Sequence, residues 1–146
     1  MGDVILALDV GDARIGLARG ELGSSFAFGR GVIERGQWEQ DVAAVASLAR
    51  REGAALILVG LPTRRNGTDS PQTTKVRAFG DALKAAGLNI AYEDERFSTV
   101  VAERSILDSG LPKMKRRDKG RLDEAAAVEI LETYLARFSQ RLQGGT

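Results

Sequence analysis

The sequence predicts one α/β domain in which helices cover a five-stranded mixed sheet with strand order 3-2-1-4-5. Two short runs of mostly branched apolar residues, at 4–8 and 55–59, have the length and composition of strands buried on both faces. Other segments, such as 37–52, repeat apolar residues at helical spacing. The 146 residues suffice for one domain with its own core. We therefore expect a single domain over 1–142 and a flexible tail over 143–146.

The first part of the chain predicts three strands that follow one another closely. The first strand starts with the apolar run at 4–8, and looser alternation marks a second at 14–20 and a third at 26–33. Connections this short favour antiparallel neighbours. The helix predicted over 37–52 then ends at Gly53, a residue suited to a left-handed helix cap.

The remaining part of the chain alternates strands with helices. The predicted elements are a strand at 55–59, a helix from Ser70-Pro71 to 86, a strand at 89–95, a helix from 98 or 99 to 108, a loop at 109–121 and a helix at 122–142. Helical crossovers place the two later strands parallel to the first. This order of elements is that of the ribonuclease H-like fold.

Composition excludes several kinds of chemistry. The chain has no cysteine and no histidine, so thiolate–zinc sites and Ser-His-Asp or Cys-His catalysis are not available to it. No signal peptide or membrane-spanning run is visible, so we expect a cytoplasmic protein without a membrane partner. The net charge is +1, which means that only local clusters of basic residues can indicate a nucleic-acid partner.

Acidic residues end two of the predicted parallel strands and open the last helix. Asp9 lies at the carboxyl end of the first strand, and Glu93, Asp94 and Glu95 lie at the carboxyl end of the last. Sites of α/β sheets gather outside these ends. Strand alternation puts Glu93 and Glu95 on one face but does not decide between them. Asp123 is followed by apolar residues at helical spacing, which predicts that it faces inward.

These carboxylates together predict a metal site. Three carboxylates directed at one point repel each other unless a cation lies between them, and all-oxygen ligands favour Mg²⁺ or Mn²⁺. Such ions activate water for attack on a phosphodiester. Each acid alone has a simpler interpretation: Asp9 as a turn residue, Asp123 as a helix cap, and Glu95 as half of a surface ion pair.

Short motifs occur along the chain in a fixed order. They are Asp9-Val10-Gly11, Arg14-Ile15-Gly16, Val59-Gly60-Leu61-Pro62, Asn66-Gly67, Val76-Arg77-Ala78-Phe79, Asp94-Glu95-Arg96-Phe97-Ser98-Thr99, Lys119-Gly120 and Asp123-Glu124-Ala125-Ala126. In these motifs the chain resembles the YqgF family, whose members are described as Holliday-junction-resolvase-like proteins or candidate pre-16S rRNA nucleases. The resemblance extends over about residues 3 to 138.

The resemblance implies a ribonuclease H-like fold, a cytoplasmic location and a divalent-metal nuclease that matures the 5′ end of 16S rRNA. The family's acids fall on Asp9, Glu95 and Asp123, and the resemblance implies that these are catalytic residues and ligands of Mg²⁺ or Mn²⁺. The resemblance therefore prefers Glu95 to Glu93. Related junction resolvases carry one more acid a turn further along the last helix, where this chain has alanines at 125–127. The missing acid counts against a junction resolvase.

Basic residues crowd into the stretch just before Asp123. The predicted substrate-binding residues are Arg14, Arg64, Arg65, Lys113, Lys115, Arg116, Arg117 and Lys119. The stretch at 113–121 would hold phosphates beside the metal site, and a solvated loop is the alternative. Arg64 and Arg65 follow a parallel strand at its carboxyl end, so we expect them to flank the same cleft. Arg14 either contacts phosphate or neutralises the acids.

Three functions remain open from the sequence. The first is a metal-dependent nuclease that acts on RNA, with DNA as the alternative substrate. The second is a DNA Holliday-junction resolvase, which needs a symmetric dimer to place two sites on one junction; the chain itself fits a monomer or a homodimer. The third is a non-catalytic RNA-binding or transcription-factor module, and the presence of all three acids argues against it.

Overall fold

The computed structural model describes residues 2–108 and 116–144. Its elements are β1 (Val4–Val10), β2 (Arg14–Glu21), β3 (Ala27–Glu34), α1 (Trp38–Glu52), β4 (Ala54–Leu61), α2 (Pro71–Ala85), β5 (Ile90–Asp94), α3 (Thr99–Asp108) and α4 (Arg116–Gly144). The sheet has the order β3-β2-β1-β4-β5. Strand β2 is antiparallel to β1 and β3, whereas β4 is parallel to β1 and β5. The predicted α/β class and strand order are therefore confirmed.

The last helix differs from its predicted bounds. Helix α4 begins at Arg116, so residues 116–121 are helical and the predicted loop at 109–121 is wrong for them. Lysine and arginine have good helix propensity, which explains why a basic stretch continues a helix. The helix runs to Gly144 and includes the first residues of the predicted tail, while 145–146 lie outside the described residues. In the part of the chain that the structure describes, no helix is long and apolar enough to cross a membrane.

Side-chain alternation divides the central strand between two cores. Leu6 packs with Phe79 in the core beneath α1 and α2. Ile5 and Ala7 point to the opposite face and pack beneath α4. Because every second residue of a strand shares a face, Asp9 continues the series that points towards α4. The fold therefore directs this acid into the layer between the sheet and its longest helix.

Glycines in β2 let α4 approach the sheet closely. Gly16 lies directly opposite Asp9 in the β1–β2 ladder. A Cβ at Gly16 would collide with the backbone carbonyl of Asp123 on α4. A Cβ at Gly20, further along the strand, would press on leucine side chains of the same helix. The missing side chains thus set the distance between strand and helix and bring Asp123 over the end of β1.

We expect Gly16→Ala to destabilise the protein by about 1–3 kcal/mol, because overpacking forces the backbone of α4 away from β2. The matched control is Gly120→Ala, where the nearest side-chain atoms, on Val32, lie 3.7 Å from an added Cβ. That alanine should be neutral or stabilising by roughly 0.5–1 kcal/mol, since a helical glycine is replaced. Urea unfolding followed by circular dichroism measures both. Equal effects of the two alanines would contradict the close approach at Gly16.

Candidate active site

Asp9 is held rigidly at the end of β1, where it is only 3% exposed. The backbone N–H of Gly11 donates to the carbonyl of Arg14 over 2.9 Å, which closes the turn after β1. Arg35 donates from Nη1 to the Gly11 carbonyl over 2.8 Å. Arg35 is itself fixed by an ion pair with the buried carboxylate of Asp41. These bonds anchor the backbone that carries the Asp9 side chain.

Glu95 lies just past the end of β5 and is 4% exposed. Its backbone N–H donates to the carbonyl of Leu61 over 2.8 Å, which extends the pairing of β5 with β4. Its side chain lies over Gly60, where a Cβ would collide with Oε1. Glu93 is also buried and Asp94 is exposed, so the predicted alternation at the end of this strand is confirmed.

The structure distinguishes Glu95 from Glu93, which the strand pattern alone does not. The carboxylate of Glu93 accepts two hydrogen bonds from the guanidinium of Arg137 on α4, one of them 2.7 Å long. Glu95 instead contacts the carboxyl group of Asp9. The fold therefore brings Glu95 together with Asp9 and pairs Glu93 elsewhere.

Asp123, which is 7% exposed, pairs with two arginines, and one of them also pairs with Asp9. Arg14, at the start of β2, donates from Nε to Asp123 Oδ2 over 2.8 Å. Arg104, on α3, donates from Nη1 both to Asp123 Oδ1 over 2.8 Å and to Asp9 Oδ2. Its Nη2 donates to Asp9 Oδ1 over 3.3 Å. The acids and the arginines thus form one buried network at the carboxyl ends of the parallel strands.

Burial shifts the proton affinities of this network. Loss of solvent raises the pKa of Asp9, although Arg104 opposes the shift. Loss of solvent and the neighbouring Asp9 raise the pKa of Glu95 well above its ordinary value. Burial alone would lower the pKa of Arg104, but the surrounding carboxylates outweigh it and raise that pKa, so Arg104 stays charged. Burial and the closeness of the two carboxyl groups therefore favour the neutral forms of Asp9 and Glu95 more than water does.

The carboxylates of Asp9, Glu95 and Asp123 line a cavity of about 310 Å³ that Arg14 and Arg104 also border. All of these acidic donors are oxygens, which suits a hard divalent cation. Glu95 Oε1 is buried and has no hydrogen-bond partner among the described residues. As placed, no three acidic side chains of the described residues form a ready metal-binding group. The position between Asp9 and Asp123 is instead held by the Arg104 guanidinium.

Arg104 is the residue of this site that sequence reasoning missed. Helix α3 starts at Thr99, four residues after Glu95, and the Ser98 hydroxyl accepts a hydrogen bond of 3.2 Å from the Val101 N–H in its first turn. A helix capped so close to the end of β5 must fold back near the strand ends. That short connection is the one signal in the sequence that α3 could carry a site residue, and it does not indicate which one.

Phe97 was also passed over, although it follows Glu95 closely. Its ring is 77% exposed, and the Arg96 guanidinium lies 4.9 Å from the ring centroid. Both residues line a second cavity, of about 480 Å³, on the other side of Glu95. An exposed ring beside a cation is a surface on which a nucleobase can stack.

The predicted substrate-binding residues outside the basic stretch differ in their relation to the acids. Arg14 forms an ion pair with Asp123, which agrees with the alternative in which it neutralises the acids. Arg64 and Arg65 are exposed in the loop that leaves the carboxyl end of β4, and Arg64 donates to the carbonyl of Asp69 over 2.7 Å.

The basic stretch before Asp123 is divided by the helix that it forms. Lys119 lies one turn before Asp123 on the same face of α4. Arg117 instead lines a cavity beside residues 31–34 of β3, so the structure does not bring it to the acids. Lys113 and Lys115 lie outside the described residues, as does the side chain of Arg116.

Comparison with solved structures identifies the architecture. The chain is similar to RuvC of T. thermophilus in complex with a Holliday junction substrate, with a TM-score of 0.55, 17% sequence identity and coverage of 92% of this chain and 94% of the other. A second structure of T. thermophilus RuvC gives a TM-score of 0.51 at 16% identity, with 92% and 95% covered. At these identities the likeness shows the fold, which is ribonuclease H-like, as predicted.

Comparison of sequences is more specific. A Thermus thermophilus protein named "Putative pre-16S rRNA nuclease" is 50% identical over 131 residues, which cover 90% of this chain and 96% of the relative. The Deinococcus radiodurans protein named "Ribonuclease YqgF" is 40% identical over 133 residues, with 91% and 88% covered. The family model described as "RuvX: Holliday junction resolvase" matches residues 3–137. The chain therefore belongs to the RuvX family, which is the YqgF family that its motifs resemble.

Proposed function

We propose that this protein is a divalent-metal-dependent nuclease that hydrolyses phosphodiester bonds in RNA, acting in the cytoplasm in the maturation of the 5′ end of precursor 16S rRNA. The observation that carries the proposal is the convergence of Asp9, Glu95 and Asp123, each less than 10% exposed, at the carboxyl ends of parallel strands. The names of the curated relatives supply the substrate, precursor 16S rRNA.

The three acids fit a divalent cation. Asp9 and Glu95 come from the ends of β1 and β5, which lie on either side of β4, and Asp123 comes from α4, so all three acids line one cavity. The unpartnered Oε1 of Glu95 is an available ligand atom. We assign Asp9, Glu95 and Asp123 as the ligands of Mg²⁺ or Mn²⁺. When bound, such an ion supplies Lewis acidity towards the phosphodiester group.

The protein's own residues supply orientation and charge. The turn bonded by Arg35 fixes Asp9, and the glycines at 16 and 60 give Asp123 and Glu95 their space. Because the chain has no histidine, no imidazole can accept a proton, and burial raises the pKa of the Asp9 and Glu95 carboxyl groups.

The RNA strand would be held by basic side chains around the carboxyl ends of the parallel strands. Arg64 and Arg65 flank these ends from the loop after β4, and Lys119 lies one turn of α4 away from Asp123. We include Lys113, Lys115, Arg116 and Arg117 as candidates from the sequence alone. Such contacts give binding that is independent of sequence and weakens with salt.

A DNA junction resolvase is the second candidate, and the description of the matching family model favours it. It would require a two-fold dimer that places two sites on one junction. The positions one turn beyond Asp123 are Ala126 and Ala127, which are fully buried in the core beneath α4 and offer no further acid. Cleavage of matched RNA and DNA substrates, with fragment lengths as the readout and the mass of the protein measured in solution, distinguishes the two candidates.

We expect Asp9→Asn and Asp123→Asn each to lower cleavage of precursor 16S rRNA by about 100-fold or more, the scale of losing one charge-stabilising group at a reacting centre. The matched control is Asp81→Asn, an exposed carboxylate on α2. Rates are measured with Mg²⁺, Mn²⁺ or a chelator present. Wild-type rates in either acid variant, or cleavage that persists in the chelator, would contradict the assignment.

We expect Glu95→Gln to remove a pH dependence of stability in the metal-free protein. The folded-state pKa of Glu95 is raised, so its contribution to stability is full below the unfolded value and is lost as pH rises through the folded value. The glutamine variant should therefore match wild type near pH 4 and exceed its stability at pH 8 by roughly 1–3 kcal/mol.

Urea unfolding in EDTA across this pH range measures the difference. Glu103→Gln, which changes an exposed carboxylate on α3, is the control. Its free energy of unfolding should depend on pH in the same way as that of wild type. Saturating Mg²⁺ should stabilise wild type more than the Glu95 variant. A constant difference between Glu95→Gln and wild type at all pH values would show that burial does not raise this pKa.

We expect Arg65→Gln to reduce the salt dependence of RNA binding. Removing the charge that neutralises one phosphate of a single strand lowers the slope of log K against log salt by about 0.7. Arg51→Gln is the control, since Arg51 is exposed in the last turn of α1, at the opposite edge of the sheet. Fluorescence anisotropy of a labelled oligonucleotide on the Asp123→Asn background gives both slopes. An unchanged slope for Arg65→Gln would remove Arg65 from the binding surface.

A further inference from the structure

The Arg104 guanidinium occupies the position where an ion shared by Asp9 and Asp123 would lie. A single nitrogen, Nη1, donates both to Asp9 Oδ2 and to Asp123 Oδ1. Asp9 and Asp123 are two of the residues that would hold a metal ion, so the guanidinium takes up acceptor oxygens that the ion would need. The guanidinium is therefore a built-in cation at the centre of the acidic network.

Arg104 lies on the solvent side of the carboxylates that it joins. Its side chain is 22% exposed, compared with 4% for Asp9 and 10% for Asp123. It comes from α3, whose main packing partner is α4, so its backbone is not part of the sheet. An arginine in this position can leave towards the cavity mouth without moving a buried element. Arg14, by contrast, belongs to β2, and Arg14 is paired with Glu34 in the β2–β3 ladder.

The balance of charges favours exchange over coexistence. Asp9, Glu95 and Asp123 carry three negative charges when ionised, and Arg14 with Arg104 supplies two positive ones. One divalent ion together with Arg14 supplies three and balances the acids. The same ion with both arginines in place would leave an excess of positive charge within hydrogen-bond distance of the ligand oxygens. Close like charges in a buried site are strongly unfavourable.

We propose that Arg104 is a positioning residue that aligns Asp9 and Asp123 in the metal-free protein and is displaced when a divalent cation binds between them. The inference rests on the proposed metal site, and it adds that the Arg104 guanidinium competes with the metal ion for the carboxylates of Asp9 and Asp123. Metal affinity is then lowered by the free energy needed to break the Arg104 ion pairs. In return, the carboxylates stay neutralised and in place while no metal is bound.

The first test measures Mn²⁺ binding by calorimetry and by electron paramagnetic resonance of the free ion, for wild type and Arg104→Gln. Without the competing guanidinium, we expect Mn²⁺ to bind at least tenfold more tightly. The metal-free variant should melt at a lower temperature than wild type, and saturating Mn²⁺ should raise its melting temperature by more. Arg77→Gln removes a surface arginine that pairs with Asp69 and should leave the Mn²⁺ affinity unchanged.

The outcomes separate this inference from the proposed function. If Arg104→Gln binds Mn²⁺ no more tightly than wild type while Asp123→Asn loses Mn²⁺ binding, the metal site stands and the displacement of Arg104 is wrong. If no variant and no wild-type protein binds Mn²⁺, the proposed metal site itself is wrong, and the inference fails with it.

A second measurement uses the wild-type protein and does not depend on whether the variant folds. Arginine side-chain signals in ¹⁵N-resolved NMR spectra, assigned with Arg104→Lys and Arg14→Lys, report which guanidinium groups are held by ion pairs. On titration with Mg²⁺, the Arg104 signals should shift to the position of an unpaired arginine, and their protons should exchange rapidly with solvent. The Arg14 signals should not change. Arg104 signals that stay protected at saturating Mg²⁺ would overturn the proposal.

Discussion

The structure at the carboxyl ends of the parallel strands depends on the neutralisation of three buried carboxylates. Asp9, Glu95 and Asp123 lie within one network, and leaving such charges without partners in the interior costs several kcal/mol for each ion. Arg14 and Arg104 supply the opposite charge from two different elements, β2 and α3. Burial also raises the pKa of Asp9 and of Glu95, which favours their neutral forms. The end of β1, the end of β5 and the start of α4 are therefore linked by electrostatics as well as by packing.

Simple backbone rules place these acids. Alternation along β1 turns Asp9 towards α4, and the same rule turns Glu95 there from the end of β5. Gly16, opposite Asp9, lets the backbone of Asp123 come close, and Gly60 leaves room for the Glu95 carboxylate. At both positions the missing side chain of a glycine leaves the space that an acidic residue occupies. The acids converge because the helix and the strands meet at glycines.

Local patterns in the sequence were enough for the strands and their order, whereas the choice of Glu95 over Glu93 needed the family resemblance. The apolar runs and helical crossovers each depend on neighbouring residues, and they predict which ends of the strands meet. Arg104 could not be found in this way, because its partners are 95 and 19 positions away along the chain and nothing local marks it. The start of α4 was misjudged since basic residues near 116–121 indicate a loop by charge and a helix by propensity. Packing against β2 and β3 favours the helix.

The two arginines differ in a way that bears on nucleic-acid binding. Arg14 is fixed in the strand ladder and donates to Asp123. Arg104 is carried by a helix outside the sheet, so its charge can move while Arg14 stays. An RNA strand carries one negative charge per phosphate, and bare carboxylates would repel it. A guanidinium that leaves the acids for the mouth of the cavity keeps a positive charge beside the incoming phosphate. On this argument, the residue that competes with the metal also favours the substrate.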